Sequence, residues 1–166
     1  MRGSLYTIEN LPTGKISIMA RPRGGDWLID EIKALRSRGV DILVSLLTAA
    51  EVQELDLTEE AACCLQQGMM YLSLPITDRS VPPFVEQTFL FLQRLQTWLS
   101  EGKHITFHCR HGLGRAVLMA ASLLVLTGFT PEQAFEQLSQ ARGYVVPETE
   151  EQRVWVRAFF QSQRPG

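Results

Sequence analysis

One short run of this 166-residue chain gathers residue types that can do chemistry together: His108, Cys109, Arg110, His111, Gly112, Leu113, Gly114 and Arg115. Five residues separate the cysteine from the arginine, and two of them are glycine. The run joins a predicted strand to an uninterrupted apolar stretch that reads as a buried helix. A helix N-terminus leaves backbone N–H groups unpaired and carries partial positive charge. Glycines at 112 and 114 let the backbone turn at positive φ and come close to a ligand. Inward-facing amides form an anion cradle, and the planar fork of Arg115 matches phosphate oxygens. The same field favours the thiolate, the nucleophilic form of Cys109. Types and spacing therefore predict attack by Cys109 on a phosphate ester. The competing reading is a structural cysteine in a glycine-rich turn. The histidine, two glycines and arginine at these spacings argue against it. No metal is expected either: His104, His108, Cys109 and His111 match no common zinc spacing, and on a strand Cys109 points away from His104 and His108.

The elements that must hold this run are legible as alternating patterns. Short strands are predicted at residues 5–8 and 16–19, and a helix starts near Asp26 and ends at Gly39. A β-branched run at 41–46 fits a strand buried on both faces. A short helix from Thr58 is closed by Gly68, and a strand follows at 70–74. Pro82 and Pro83 open a long helix that runs to Gly102, with Phe84, Thr88, Phe91, Leu92, Leu95 and Leu99 along one face. A strand at 104–108, an all-apolar helix near 114–127, a helix capped by Thr130 and a last helix after Pro147 complete the chain. This alternation predicts an α/β fold with a mostly parallel central sheet flanked by helices, as one domain over residues 1–166.

Composition narrows the function classes. Apolar residues make up 45% and charged residues 20%, which excludes a disordered chain. A net charge of -2 argues against a general nucleic-acid binder. Residues 116–126 give about half of the ~20 apolar residues that a membrane span needs, so no membrane insertion is expected. Three cysteines without a framework spacing indicate reduced thiols and a cytoplasmic protein. The first ten residues hold one arginine and no apolar run, and so do not read as a signal peptide.

The run 108–115 resembles the active-site loop of the cysteine-dependent protein tyrosine phosphatases, matching the form HCxxGxGR at every fixed position. Order and length are similar to the small dual-specificity branch, and the likeness extends over about residues 42–160. Low-molecular-weight phosphatases carry their loop at the N-terminus, and rhodaneses have a shorter cysteine-to-arginine interval. The resemblance implies that Cys109 is the nucleophile, that residues 109–115 bind the phosphate, and that His108 orients the loop. It also implies a general acid, because a phosphate ester leaves poorly unless its oxygen is protonated. The segment Leu74-Pro75-Ile76-Thr77-Asp78-Arg79-Ser80-Val81-Pro82 is similar to the acid loop of the family and offers Asp78, 31 residues before Cys109. Without the cysteine loop, Asp78 reads as an ordinary turn residue. Gln152 is similar to a glutamine that places the attacking water in some relatives; its alternative is a helix-surface residue. Arg110 and His111 either face the pocket mouth or are solvated.

Two positions depart from the pattern. Ala116 stands where relatives usually carry a serine or threonine that helps the thiolate to leave. Leu113 stands where lipid-phosphatase relatives often carry lysine, which argues against a strongly basic inositide pocket. The implied function is hydrolysis of phosphotyrosine, with phosphoserine and phosphothreonine as further substrates, through a phosphocysteine. The implied partner is a phosphorylated protein, and phosphate, sulfate or vanadate would occupy the loop. No metal or organic cofactor is required. The alternatives are a phosphoinositide or small-molecule phosphatase and a phosphate-binding pseudophosphatase. They are separated by substrate panels and by phosphate release from an aryl phosphate.

Overall fold

A computed structural model describes residues 4–8 and 10–164. The reading of the first ten residues falls partly on positions 1–3 and 9, which lie outside the described residues.

Five strands form one sheet: β1 (Tyr6–Ile8), β2 (Lys15–Ala20), β3 (Ile42–Ser45), β4 (Met70–Ser73) and β5 (His104–Cys109). Their order is β1-β2-β5-β3-β4. Only β1 and β2 pair antiparallel; β2–β5, β5–β3 and β3–β4 are parallel. The strand that carries the cysteine is thus the central one, and all of its residues are buried. Parallel neighbours require crossovers, and these are helical. The helices are α1 (Leu28–Ser37), α2 (Ala49–Glu54), α3 (Glu60–Gln66), α4 (Val85–Ser100), α5 (Arg115–Leu126), α6 (Pro131–Arg142) and α7 (Glu150–Gln163), with a single 3-10 turn at Gly25–Trp27 before α1.

Side chains of β5 alternate between two apolar layers. Ile105, Phe107 and Cys109 join α4, α5 and α7 in the larger core. Beneath the other face lie Leu28, Ile32 and Leu35 of α1 with Cys64 of α3. All of α5 except Leu126 is buried, as its all-apolar sequence requires.

The structure adds one helix and trims another. Residues 49–54 form α2, started by a reciprocal cap between Thr48 and Glu51. That helix is absent from the periodicity reading because it is too short to show a repeat. The long helix begins at Val85 rather than at the prolines, and Phe84 caps it with 66% of its surface exposed, off the apolar face. Among the described residues, no helix is long and apolar enough to cross a membrane.

Candidate active site

Cys109 ends β5 with 3% of its surface exposed. Its Sγ accepts the N–H of Gly112 at 3.3 Å and the N–H of Ala116 at 3.4 Å. Both donors come from the turn into α5, so the sulfur sits where the helix presents its unpaired amides. Gly112 has φ +72°, and a Cβ there would lie 2.8 Å from the Met19 carbonyl carbon and 2.9 Å from the Ala20 nitrogen. The loop therefore crosses directly over the end of β2, and only glycine fits.

Arg142, the last residue of α6, sets the loop's polarity. Its Nη2 donates to the His111 carbonyl and its Nε to the Gly112 carbonyl, each at 3.3 Å. The guanidinium is stacked between Tyr6, 4.4 Å away, and Tyr144, 5.1 Å away. The His111 carbonyl and the Gly112 N–H belong to one planar trans peptide. Drawing the carbonyl outward to Arg142 turns the N–H inward to the sulfur.

Arg115 opens α5 and is 1% exposed. Its Nη1 and Nη2 donate to the two carboxylate oxygens of Glu51 at 2.6 and 2.9 Å. Nη1 also reaches the Ile76 carbonyl at 2.9 Å, and Nη2 reaches Asp78 Oδ1 at 3.0 Å. A bidentate carboxylate fixes the plane of the guanidinium. Burial opposes the arginine's charge, but the Glu51 bond and neighbouring charges outweigh it and raise its pKa. For Glu51 the balance has the opposite sign. Burial pushes its carboxyl up, yet the bonds from Arg115 and from the Thr48 N–H hold it down at about 2.

A depressed carboxyl contributes stability at high pH that is lost as protons return. The Glu51 contribution is complete above the ordinary value of 4.5 and disappears as pH falls toward about 2. Urea unfolding from pH 6 to pH 2.5 should lose about 2–3 kcal/mol through this group. Glu51→Gln should be less stable at pH 6, and its stability should depend less on pH over that window. Parallel curves for the two proteins would remove Glu51 from the account.

Asp78 lies in the loop between β4 and α4, with 45% of its side chain open to solvent. The loop is tied down on both sides. Arg79 adopts φ +62° and pairs through Nη1 with Glu148 Oε2 at 3.2 Å. Gln152, fully buried, donates through Nε2 to the Ser80 carbonyl at 3.2 Å. Gln152 and Glu148 also press on the cysteine loop: a Cβ on Gly114 would lie 2.8 Å from Gln152 Nε2 and 2.7 Å from Glu148 Oε1. Leu113 is half-buried, and its carbonyl accepts the Glu148 N–H at 2.9 Å.

The structure thus gathers Cys109, Arg115, Asp78 and Gln152. Two of the anticipated residues make contacts that the sequence does not announce. Arg110 is partly exposed and pairs with α2, with Nε 3.3 Å from Glu51 and Nη2 2.8 Å from Glu54. The His108 ring lies on the opposite face of the sheet, with Nε2 2.6 Å from Glu60 Oε2. His111 is exposed. Gln152 is a core residue rather than a helix-surface residue.

Glu51, Arg142, Glu148 and Glu60 are additions to the residues picked out from sequence. The Thr48-x-x-Glu51 capping signature directly after a strand is a signal that marks a helix start and its acidic residue. No sequence pattern points to the other three. Among the described residues, no cluster of three or more metal-ligating side chains forms. Cys63 and Cys64 lie on α3, away from the loop. Burial and the charge of Glu60 push the Cys64 thiol up to about 12; burial, Glu59 and Glu60 raise Cys63.

A family model described as "Polymorphic toxin system, DSP-PTPase phosphatase" matches residues 18–129. A putative tyrosine phosphatase, 197R, of Invertebrate iridescent virus 6 is 27% identical over 144 residues, covering 84% of this chain and 50% of the viral protein. Cyclin-dependent kinase inhibitor 3 of Homo sapiens is 28% identical over 131 residues, covering 78% of this chain and 61% of the human protein. The matches therefore span about half to three-fifths of these curated relatives' own length. Among solved structures, kinase associated phosphatase with its catalytic-site cysteine changed to serine superposes with a TM-score of 0.88 at 21% identity, covering 98% of this chain and 96% of that one. PTPMT1 superposes with a TM-score of 0.76 at 18% identity, covering 96% and 95%. At these identities the structures establish a shared fold.

Proposed function

Because the chain belongs to the DSP-PTPase family of dual-specificity and tyrosine phosphatases, we propose that it hydrolyses phosphate monoesters on proteins, phosphotyrosine foremost, through a phosphocysteine on Cys109. One observation carries this reading: a buried cysteine sulfur takes two backbone N–H bonds beside a guanidinium that also holds Asp78. In the first step, Cys109 Sγ bonds to phosphorus, the ester P–O bond breaks, and Asp78 gives its proton to the leaving oxygen. Arg115, exchanging its Asp78 contact for the phosphate, and the loop amides 110–115 hold the equatorial oxygens as charge spreads onto them. In the second step, water attacks the phosphocysteine, Asp78 takes its proton, and the S–P bond breaks to return the thiolate. Gln152 serves this cycle as a tie between the two loops. Its amide bonds to the Ser80 carbonyl and accepts the Thr149 N–H, and its second N–H is left to place the attacking water.

Ion pairing around the site favours a phosphoprotein over an inositide. Arg110 is neutralised by Glu51 and Glu54, and Arg79 by Glu148. Leu113 supplies no amine. The three cysteines are free thiols, in keeping with a cytoplasmic setting. Residues 1–166 act as one phosphatase domain in this reading. The test is a panel of phosphopeptides and soluble inositol phosphates, with Cys109→Ser as a trap. Preferential turnover and trapping of phosphotyrosine peptides supports the reading. Preference for inositol phosphates, or no release from any ester, overturns it.

Ala116 sets the expected rate-limiting step. Its N–H reaches the sulfur, but its side chain offers no hydroxyl to stabilise the departing thiolate. A hydrogen bond to a charged atom contributes about 1.5–3 kcal/mol, or roughly tenfold to a hundredfold in rate. Rapid mixing with an aryl phosphate should show a burst of phenol. Ala116→Ser should raise kcat and shrink the burst. A linear time course, with kcat unchanged in the variant, would assign the donor role elsewhere.

A further inference from the structure

The pair formed by Glu60 and His108 has no part in the steps above. Both side chains are sealed in the layer beneath the sheet, 1% and 0% exposed. The layer beneath the sheet is built of apolar residues such as Leu43, Leu47, Leu57 and Cys64, with Tyr71 close enough to feel the Glu60 charge. Polar pairs in such a setting are costly, and apolar residues of similar size often fold as well or better. The contact is short, 2.6 Å between His108 Nε2 and Glu60 Oε2, just under the usual length of a charge-assisted N–H···O bond. His108 Nδ1 and Glu60 Oε1 make no hydrogen bond among the described residues, so this contact is the only polar anchor of either side chain.

Its location connects it to the chemistry. His108 is the last residue of β5 in register with β3, opposite Ser45, and its carbonyl accepts the Leu46 N–H at 3.0 Å. The next residue is the nucleophile. Arg142 orients the loop from its far side, and Glu60 grips the strand end from which the loop departs.

We propose that Glu60 is a positioning residue for Cys109 that acts through His108, its carboxylate holding the ring proton on Nε2 and fixing the ring that anchors the start of the loop. The inference rests on the reading of Cys109 as the nucleophile. A hydrogen bond at one ring nitrogen decides the tautomer and orientation of a histidine, and carboxylate partners of metal-bound histidines, the measured analogue, are worth tenfold or more. Other titratable groups that feel the Glu60 charge are Tyr71 on β4 and Cys63 and Cys64 on α3 itself.

The test reads the thiol directly, without turnover. Glu60→Gln keeps the shape of the side chain and removes its charge. Iodoacetate labelling of Cys109 at pH 6 should slow about tenfold in this variant. Cys63 should label as before, and thermal melting checks that the variant is folded. In a His108→Asn background, Glu60→Gln should add no further slowing. Nitrogen NMR of the wild-type protein should show the His108 proton on Nε2, which decides the matter even if Glu60→Gln does not fold. Three results would each overturn the proposal: unchanged labelling in folded Glu60→Gln, an equal effect with His108 absent, or a bare Nε2 in the wild type. Labelling effects without phosphatase activity would retain the positioning role and reject the proposed substrates instead.

Discussion

Arg115→Lys is expected to lower kcat/KM by on the order of 10³-fold and to destabilise the fold at the same time. A single preorganised donor to transition-state charge is worth roughly 10²–10³-fold, and arginine presents a rigid fork that lysine lacks. The second effect follows from Glu51. Its carboxylate is clamped by both terminal nitrogens of Arg115, and a lone ammonium cannot satisfy both oxygens and also reach Ile76 and Asp78. Loss of one partner of a buried pair costs about 3–5 kcal/mol. Arg110, 3.3 Å from Glu51, remains as a partial substitute and should hold the loss near the lower end. Steady-state kinetics and urea unfolding check the two effects separately. Lost activity with wild-type stability would show that the Glu51 clamp is not structural.

The second large effect concerns Asp78. Asp78→Asn should lower kcat by on the order of 10²–10⁴-fold for phenyl or alkyl phosphates, the usual contribution of a general acid. For a substrate whose leaving group needs no proton, the loss should be much smaller. This comparison also separates chemistry from architecture. Asp78 bonds to Arg115 at 3.0 Å, so its removal also disturbs the guanidinium. A disturbed guanidinium would slow both classes of substrate equally. An equal loss would therefore assign Asp78 to holding Arg115 rather than to proton transfer.

The residues with chemical character were legible in the sequence because their types are specific. A cysteine, two glycines and an arginine at fixed spacing, after a strand and before an apolar helix, admit few other readings. The alternation of strands and helices led to the central parallel sheet, and the all-apolar run of α5 to its burial. What escaped is the support around these groups. Glu51 sits on a helix of six residues, too short to show a periodicity. Arg142 reads as an ordinary basic residue at a helix end, and its role arises only when α6 meets the loop. Arg110 pairs with two carboxylates of α2, a contact that no local pattern announces. Glu60 is 48 residues from its partner His108, and no local pattern marks a buried glutamate. These partners come together through tertiary packing, which single-sequence periodicity does not encode.

The central claim is that Cys109 carries the phosphoryl group during turnover. Rapid acid quench during the burst with an aryl phosphate, followed by peptide mass mapping, tests it most directly. The account predicts one phosphoryl group on the peptide containing Cys109, formed as fast as the phenol burst and absent in Cys109→Ser. Steady turnover with no phosphoryl group on Cys109 at any quench time, or with the group on another residue, would contradict it.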